Sequence, residues 1–444
     1  MSPPNRLLEA PILPTLARLS APGLLLVVFQ SAVSIADTYY VGRLGTEPLA
    51  GLALVFPLLM LLGMTSAGAM GGGVSSAIAR ALGAGNLARA RSLVVHAILI
   101  ALGMALLFTL ALLALGPAIY RLLGGEGETL RHALAYSNVI FAGAIAVWLA
   151  NTFASIMRGS GNTLVPALAF AAAACLHIPL SGALTLGWGL FPALGITGTA
   201  IAFVTAQCFA TLVSAVFVLY SRLRPTGADF CLDGRLFADI LRVGAVSSVS
   251  ALQTVITAVV LTGLVGRFGT EALAGYGVGV RLELMQVPLV FAIGQALVVL
   301  VGTNIGAGNA ARAKRIAYTG AALASAFCLA IGVTVALAPR LWVSLFSADP
   351  GVLEAGSAYL RIVGPFYPFI GVGVALYFAS QGATKVGWPV LAGTARLVIV
   401  VTGGLAAVAL GAPLAVLYGV IALGIVVWGG GTLAAVRATD WSRR

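Results

Sequence analysis

Apolar segments of about the 20 residues that a helix needs to cross a membrane follow one another along almost the whole chain. Only short polar turns separate them. Hydrophobic residues make up 60% of the 444 residues and charged residues 9%, so soluble domains of this length would lack a polar surface. We therefore predict an all-α polytopic membrane protein.

Hydropathy divides the chain into twelve transmembrane helices in two sets of six. The first set lies near 16–41, 48–79, 92–119, 133–157, 163–187 and 193–220, and the second near 236–264, 272–303, 316–339, 356–380, 387–410 and 412–436. The most polar stretch lies between the sets and is interpreted as a cytoplasmic linker. The predicted domains are a cytoplasmic N-terminal tail (1–15), an N-lobe (16–220), the linker (221–235), a C-lobe (236–437) and a cytoplasmic C-terminal tail (438–444).

An internal repeat supports the division into six and six. The segment VGRLGTEPLAG (41–51) returns 224 residues later as VGRFGTEALAG (265–275), with nine of eleven positions identical. LGAGNLARAR (82–91) returns as IGAGNAARAK (305–314). An even number of spans in each half makes both copies enter the membrane from the same side, so we predict two lobes related by pseudo-two-fold symmetry. This arrangement is typical of a two-lobed transporter.

Basic residues predict the orientation of the chain. If both termini and the even-numbered loops are cytoplasmic, most Arg and Lys residues fall on that side, and the opposite side keeps Arg43, Arg121, Arg131, Arg267 and Arg340. We therefore predict a multi-pass protein of the bacterial or archaeal plasma (inner) membrane. The net charge of +12 comes from charges that lie singly in loops, so we expect the lipid bilayer, and no nucleic acid, as a partner.

Several kinds of chemistry lack the residues that they need. The sequence has no Walker A motif and no G-x-S-x-G motif, so we expect neither an ATP-driven pump nor an enzyme. The four cysteines and three histidines are too scattered for a metal-ligand motif. We predict no catalytic residue, no metal site and no cofactor other than a coupling ion.

Few ionisable residues remain inside the predicted spans. A charge at the bilayer centre costs at least ~2.5 to 3.5 kcal/mol, so such residues usually face a cavity or a partner. They include Asp37, His177, Arg281, Glu283, Arg361 and Arg396. Each is a candidate functional residue, although Arg361 and Arg396 could extend their side chains toward the membrane surface.

Asp37 is the strongest of these candidates. It lies about one turn inside the end of the first span, and helical periodicity places Ser34 and Gln30 on its face. The second copy has Leu261 at the equivalent position, so the acid is not a duplicated folding element. The alternative is a structural role, as an interfacial acid or a helix cap near Arg43.

His177 lies in the middle of the fifth span, beside Pro179. The proline could interrupt the helix and free a backbone carbonyl. Imidazole titrates in the physiological range, so His177 could handle a proton beside Asp37. A hydrogen-bonded packing role is the alternative.

Arg281 and Glu283 are two residues apart in the eighth span, and on a helix they point in different directions. One could face a cleft while the other pairs with a different helix. The alternative is a structural ion pair between helices.

These motifs together resemble the multidrug and toxic compound extrusion (MATE) family over nearly the whole chain. The resemblance rests on the first-span acid, both copies of each repeated motif, MRGSGNT (157–163), LFPALGITGTAIA (190–202) and AGYGVGVRLE (274–283). It implies the MATE/MOP transporter fold, with two six-helix lobes forming a V-shaped cleft, and ion-driven efflux of cationic, amphipathic organic compounds. Asp37 matches the acid that binds the coupling ion in that family.

Departures from the family pattern bear on the coupling ion. DinF-like relatives carry N-x-x-L-D in the fifth span, and alignment places His177 at the Asn and Ser181 at the Asp. NorM-like sodium-coupled members have acids in the seventh and tenth spans, whereas this chain has none in VGAVSSVSALQTVITAVV (243–260) or in VGVALYFASQGATK (372–385). The resemblance is therefore closer to the DinF-like, proton-coupled type than to the NorM-like type.

We hypothesise a monomeric secondary active transporter that exports small organic cations or amphipathic compounds by antiport with protons, in preference to sodium. Asp37 and His177 are predicted to bind the coupling ion. The predicted substrate or cleft lining comprises Gln30, Ser34, Tyr40, Asn151, Ser181, Arg281 and Glu283.

Two alternatives stay open at this point. A flippase for a lipid-linked precursor or polysaccharide, from the same superfamily, would need several basic residues converging on the cleft, and only Arg281, Arg361 and Arg396 are available. A channel or a binding scaffold belongs to a different class. The sequence has no T-V-G-Y-G filter, and its two copies differ at their charges within spans.

Overall fold

The structure, a computed structural model, describes residues 4–442, apart from the side chains of residues 4–6 and 228. Within that range it is helical and contains no strand. The helices that precede the central connection are α1 (Pro4–Glu9), α2 (Ile12–Gly42), α3 (Thr46–Gly63), a π-helical segment (Met64–Met70), α4 (Gly71–Gly83), α5 (Leu87–Leu122), α6 (Gly127–Ala142), α7 (Ala144–Gly159), α8 (Leu164–Leu186) and α9 (Ile196–Leu219).

The second half begins after a 3₁₀ turn (Gly227–Phe230) and repeats the same plan. Its helices are α10 (Gly234–Gly266), α11 (Thr270–Gly306), α12 (Ala310–Leu337), α13 (Arg340–Val343), α14 (Pro350–Val363), a 3₁₀ turn (Gly364–Phe366), α15 (Tyr367–Gly382), α16 (Gly387–Ala409) and α17 (Leu414–Ala438).

Eleven of the described helical segments are long and apolar enough to cross a membrane. The bent pair α6 and α7, which meet at 50°, completes a twelfth span. The prediction of twelve transmembrane helices is therefore confirmed. The helices extend a few residues beyond several predicted ends, because amphipathic turns continue the helix past the apolar core that hydropathy detects.

The described chain forms two compact units. One contains residues 21–244, and the other contains residues 4–20 together with the chain from Ala245 onward. Each unit has its own apolar core, built around Trp148 and Phe141 in the first and around Tyr359 and Tyr367 in the second. The segment predicted as an N-terminal tail includes α1, whose Leu7 packs in the core of the second unit.

Two helices run through the boundaries between the units. Helix α2 gives residues 12–20 to the second unit and 21–42 to the first, and α10 gives residues 234–244 to the first unit and 245–266 to the second. The boundaries at Ala21 and Ala245 are 224 residues apart, which is the offset of the sequence repeat. The exchange is therefore a repeated feature of both halves.

The repeated G-A-G-N motif forms the turn before the third helix of each half. Gly85 and Gly308 have φ angles of 71° and 80°, in the left-handed region that glycine adopts without strain. In the first copy the Asn86 side chain caps α5 by accepting a hydrogen bond from the Arg89 backbone N–H at 2.8 Å. The φ angle explains the glycine in both turns, and the cap explains the asparagine in the first; within the described residues, the Asn309 side chain makes no capping hydrogen bond in the second.

The segment predicted as a linker (221–235) is packed on α5 of the first unit. The Arg91 Nε donates to the Arg222 carbonyl at 2.9 Å. The buried His96 ring accepts a hydrogen bond from the Asp233 backbone N–H at 3.0 Å. The structure therefore groups this connection with the first unit, and the boundary of that unit falls later, at Gly244.

A capping box orders the 3₁₀ turn inside this connection. The Thr226 hydroxyl and backbone N–H both donate to Asp229, each at 2.7 Å. These hydrogen bonds lower the pKa of the Asp229 carboxyl, so it is ionised at neutral pH. The hydroxyl of Ser92 on α5 donates to the same carboxylate at 3.2 Å, which fastens the turn to the first unit.

Candidate functional site

Asp37, His177 and Ser181 meet in the first unit. Helix α2 supplies the acid and α8 supplies the other two, which share a face because they are four residues apart. The His177 Nε2 lies 2.8 Å and 3.0 Å from the two carboxylate oxygens of Asp37. The Ser181 hydroxyl donates to the same carboxylate at 2.8 Å. The structure thus brings together the two predicted coupling residues and one predicted lining residue.

The two ring nitrogens of His177 have different surroundings. The Nε2 atom contacts both carboxylate oxygens of Asp37. The Nδ1 atom of the same ring is buried and has no partner within residues 4–442. The polar contact of this ring with the triad is therefore made through Nε2 alone.

Burial leaves a narrow access to the acid. The Asp37 side chain is 12% exposed, whereas that of His177 is 2% exposed. The Phe203 ring stands edge-on to the imidazole, with its centroid 6.2 Å away. Ions and solvent therefore reach the pair through the carboxylate, not through the ring.

Two aromatic rings lie next to this triad. Tyr40 is buried and packs edge-on against Trp188, with ring centroids 5.5 Å apart. Gly182 makes the packing possible, because a Cβ atom there would lie 2.6 Å from the Trp188 ring and 2.9 Å from the Tyr40 ring.

Helix α8 runs without interruption through Pro179, so the predicted break of this helix was wrong.

A cavity of about 590 Å³ opens beside α2 on the side of these rings. Its lining is mostly apolar and aromatic, with one basic side chain. It consists of Ala32, Ile35, Ala36, Tyr39, Tyr40, Arg43, Ile178 and Trp188. A space of this size and composition suits an organic molecule with an aromatic system.

Three other predicted lining residues lie away from the acid. Gln30 and Ser34 are exposed and have no recorded hydrogen bond from their side chains to the carboxylate. Gln30 is about two helical turns, roughly 10 Å, along α2 from Asp37, and Ser34 is rotated by about 60°. The amide of Asn151 donates instead to the Ser66 hydroxyl in the π-helical segment, at 2.9 Å. Their role as lining of a substrate cleft stays a prediction.

Arg281 and Glu283 point in different directions in the second unit, as their spacing predicted. Arg281 is exposed and stacks over the Phe346 ring at 5.4 Å. Glu283 accepts a hydrogen bond from the Tyr359 hydroxyl at 2.9 Å and lies 3.9 Å from the Arg396 guanidinium. Arg396 also stacks over Trp428 at 5.2 Å. Glu283 therefore belongs to a polar network that joins helices within the second unit.

Sequence spacing could not show one further cluster. Glu47, Glu128 and His132, from α3 and α6, bring three potential metal-ligand atoms within 4.8 Å of one another. Both carboxylates are exposed, and Glu128 already accepts hydrogen bonds from Arg131. We assign this group no metal.

The sequence analysis missed the role of Trp188 and of an ion-pair network in the first unit. Arg80 on α4 and Arg89 on α5 both bind the carboxylate of Asp239 on α10, at 2.5 Å and 2.9 Å. The repeated R-A-R segment was read only as a topological signal. The sequence signal for this network was Asp239, an acid that lies about one turn inside a predicted span.

Known proteins share both the sequence and the fold of this chain. The MatE family model matches residues 22–182 and 246–404. A protein of Shewanella oneidensis named FAD transporter is 29% identical over 82% of this chain and 81% of its own length. A Thermotoga maritima protein named probable multidrug resistance protein NorM is 26% identical over 83% and 79%. A MOP superfamily transporter of Pyrococcus furiosus has a TM-score of 0.88 and 25% identity, covering 98% of both chains.

An all-helical, multi-pass membrane protein with twelve apolar spans and a buried carboxylate in the first of them has the architecture of the MATE/MOP transporters. The family model covers both halves, including the spans that carry Asp37 and His177. The chain belongs to the MATE family. The comparisons do not separate DinF-like from NorM-like members, so that subtype stays a prediction.

Proposed function

We propose that this protein is a secondary active efflux transporter that exports organic compounds by antiport with protons. The observation that carries the proposal is the triad of Asp37, His177 and Ser181, in which one buried carboxylate accepts from an imidazole and a hydroxyl. An ionisable residue inside a span usually marks an ion or substrate pathway. Relatives named as multidrug export and resistance proteins support efflux as the activity.

In the proposed cycle, the carboxylate of Asp37 alternates between charged and neutral forms. A proton that arrives from the outer side neutralises the acid and weakens its hold on a cationic substrate, which then leaves. The His177 Nε2–H contacts both carboxylate oxygens and so orients the acid that takes up the proton. Loss of the proton to the cytoplasm restores the carboxylate and the affinity for substrate.

The ligand set favours a proton over sodium. Hard metal cations bind to shells of about six or more oxygen atoms. In the described structure the carboxylate accepts hydrogen bonds from one hydroxyl and from an imidazole N–H. The N–H group repels a cation. A proton needs only one oxygen or nitrogen, so the site fits a proton better.

Two classes of substrate are candidates. Cationic amphipathic compounds fit a carboxylate whose charge is relieved by protonation. Arg43 in the adjacent cavity, and a relative named FAD transporter, support a second candidate, an aromatic compound with anionic groups. The guanidinium would bind the anionic group while Tyr39 and Trp188 pack on the aromatic system.

Transport into everted vesicles tests both the ion and the substrate. We expect a pH gradient, and not a sodium gradient of the same size, to drive accumulation of a fluorescent lipophilic cation. The same vesicles are given FAD as the competing candidate. FAD transport without cation transport would establish the second candidate, and a response to sodium alone would contradict proton coupling.

Replacement of His177 by Gln separates a proton-handling role from packing. The Gln amide nitrogen reaches the position of Nε2 and can still donate to Asp37, so we expect the protein to fold and to transport. The pH dependence should change, because an amide does not take up a proton as an imidazole does; we expect the pH of half-maximal transport to shift by about one unit, a tenfold change in proton affinity. The rate of cation uptake measured from pH 5.5 to 8.5 checks this. An unchanged profile would assign His177 to packing.

The proposed protein is a monomer in the bacterial or archaeal plasma membrane, with both termini in the cytoplasm, as the basic residues of the loops predict. The flippase alternative receives little support from the described basic residues. Arg396 is engaged by Glu283 and Trp428, and Arg281 by Phe346. They contact separate partners and do not form one diphosphate-binding cluster.

A further inference from the structure

A pocket of about 350 Å³ lies in the second unit, where the span formed by α12 ends. It is lined by the turn that follows that helix and by one residue of α14. The lining consists of Leu337, Ala338, Pro339, Arg340, Leu341, Ser344 and Arg361. Two guanidinium groups and one hydroxyl thus face a pocket whose other walls are apolar.

The charges of this pocket are not balanced by the protein. Neither Arg340 nor Arg361 makes an ion pair or a side-chain hydrogen bond among residues 4–442. Both side chains are exposed. Two positive charges therefore line one pocket without a described counter-charge.

Arg361 belongs to a membrane-spanning segment, but its side chain lines the pocket. The segment runs from Pro350 to Gly382, and Arg340 lines the same pocket. Arg340 in turn lies on the side of the membrane where the sequence places few basic residues. The positive-inside rule favours neither of these positions for an arginine, so the two residues need another explanation.

The apolar residues at the pocket indicate a second chemical feature of its ligand. Leu337 and Leu341 line the pocket and are 81% and 69% exposed. Side chains at the end of a span lie at the level where the acyl chains meet the headgroups. These leucines would therefore contact hydrocarbon, and the arginines beside them would contact phosphate.

We propose that this pocket binds an anionic phospholipid, with the phosphate held by Arg340 and Arg361 and an acyl chain lying along Leu337 and Leu341. Arginine forks match phosphate oxygens in two-point hydrogen bonds, whereas the Ser344 hydroxyl already donates to the Arg340 carbonyl. A zwitterionic lipid carries an ammonium group that the arginines repel. The pocket would therefore select phosphatidylglycerol over phosphatidylcholine.

Native mass spectrometry of the delipidated protein in detergent tests this proposal. The protein is titrated with dioleoyl phosphatidylglycerol or dioleoyl phosphatidylcholine, and bound lipids are counted. Each basic residue near a charged headgroup is worth about fivefold in affinity. We expect the Arg340→Gln/Arg361→Gln variant to lose about 30-fold in affinity for phosphatidylglycerol, with little change for phosphatidylcholine.

The matched control is Arg121→Gln/Arg267→Gln, which removes the same charge from the same predicted side of the membrane. It should bind phosphatidylglycerol as the unmodified protein does. An equal loss in the control would show that total charge attracts the lipid and would overturn the proposed pocket. Equal affinity for both lipids in the unmodified protein would also overturn it.

Soluble glycerol phosphate distinguishes a lipid site from a phosphate site. It carries the headgroup chemistry but cannot contact the leucines. We expect it not to displace phosphatidylglycerol at millimolar concentration. Displacement at that concentration would show that the pocket recognises phosphate alone. Because the exchanged arginines are exposed, the variants should keep the melting temperature of the unmodified protein in phosphatidylcholine, which checks that they fold.

Discussion

Replacing Asp37 with Asn is expected to abolish coupled transport while leaving the fold intact. Asn has the same shape and still accepts from Ser181, but it cannot take up a proton. One pH unit supplies ~1.4 kcal/mol per proton, enough for about a tenfold accumulation of substrate. In the variant this accumulation should fall to the level of vesicles that lack the protein. Uptake of a fluorescent cation under an imposed pH gradient measures it.

The matched control for this experiment is Glu128→Gln. It also removes one carboxylate from the first unit, but from an exposed surface pair with Arg131 that contributes little to stability. Uptake should be unchanged in the control. A folded Asp37→Asn protein that still accumulates substrate against a gradient would contradict the proposed mechanism, whichever substrate is used.

Replacing Asp239 with Ala is expected to cause the largest loss of stability among the changes considered. Arg80 and Asp239 are 14% and 21% exposed in their side chains, and Arg80 would keep its charge without its partner. Breaking a buried ion pair costs ~3 to 5 kcal/mol, and we expect ~2 to 4 kcal/mol after allowing for solvent. Thermal unfolding in detergent measures the change, with limited proteolysis of the connection at 221–235 as a local readout.

Two further variants isolate the cause of that loss. Arg89→Ala removes the more exposed partner, which is 47% exposed, and should cost less than ~1 kcal/mol. Replacing Arg80 with Met and Asp239 with Leu together should recover much of the stability, because apolar side chains of similar volume can replace a buried pair. If the double variant is as unstable as Asp239→Ala, the ion pair stabilises the fold by more than the cost of burying its two charges.

Much of the fold could be predicted because membrane insertion leaves a strong signal in sequence. Each span must satisfy its backbone internally and present apolar side chains to lipid, so length and hydropathy locate the helices to within a few residues. The repeat then predicts the division into two sets of six. The exchange of helix segments at Ala21 and Ala245 leaves no such signal, because residues on both sides of each boundary are equally apolar.

The candidate site shows the same limit. An acid in an apolar span is conspicuous, and both Asp37 and His177 could be found by their rarity alone. Their contact depends on how α2 and α8 pack, which periodicity within one helix does not specify. The same limit applies to Gln30 and Ser34, because periodicity gives their face of α2 but not what their exposed side chains contact. Trp188 was missed because it lies in a turn.

The boundaries within α2 and α10 bear on how such a chain could have arisen. Each half contributes the beginning of its first helix to the unit formed mainly by the other half. In two separate copies of one half, the same exchange would be a domain-swapped homodimer, and fusing their genes through residues 221–235 would preserve it. A fragment that ends at residue 220 would therefore lack part of its own unit. Halves cut within residues 221–235 should therefore complement each other when co-expressed, because each supplies the segment that the other's unit lacks.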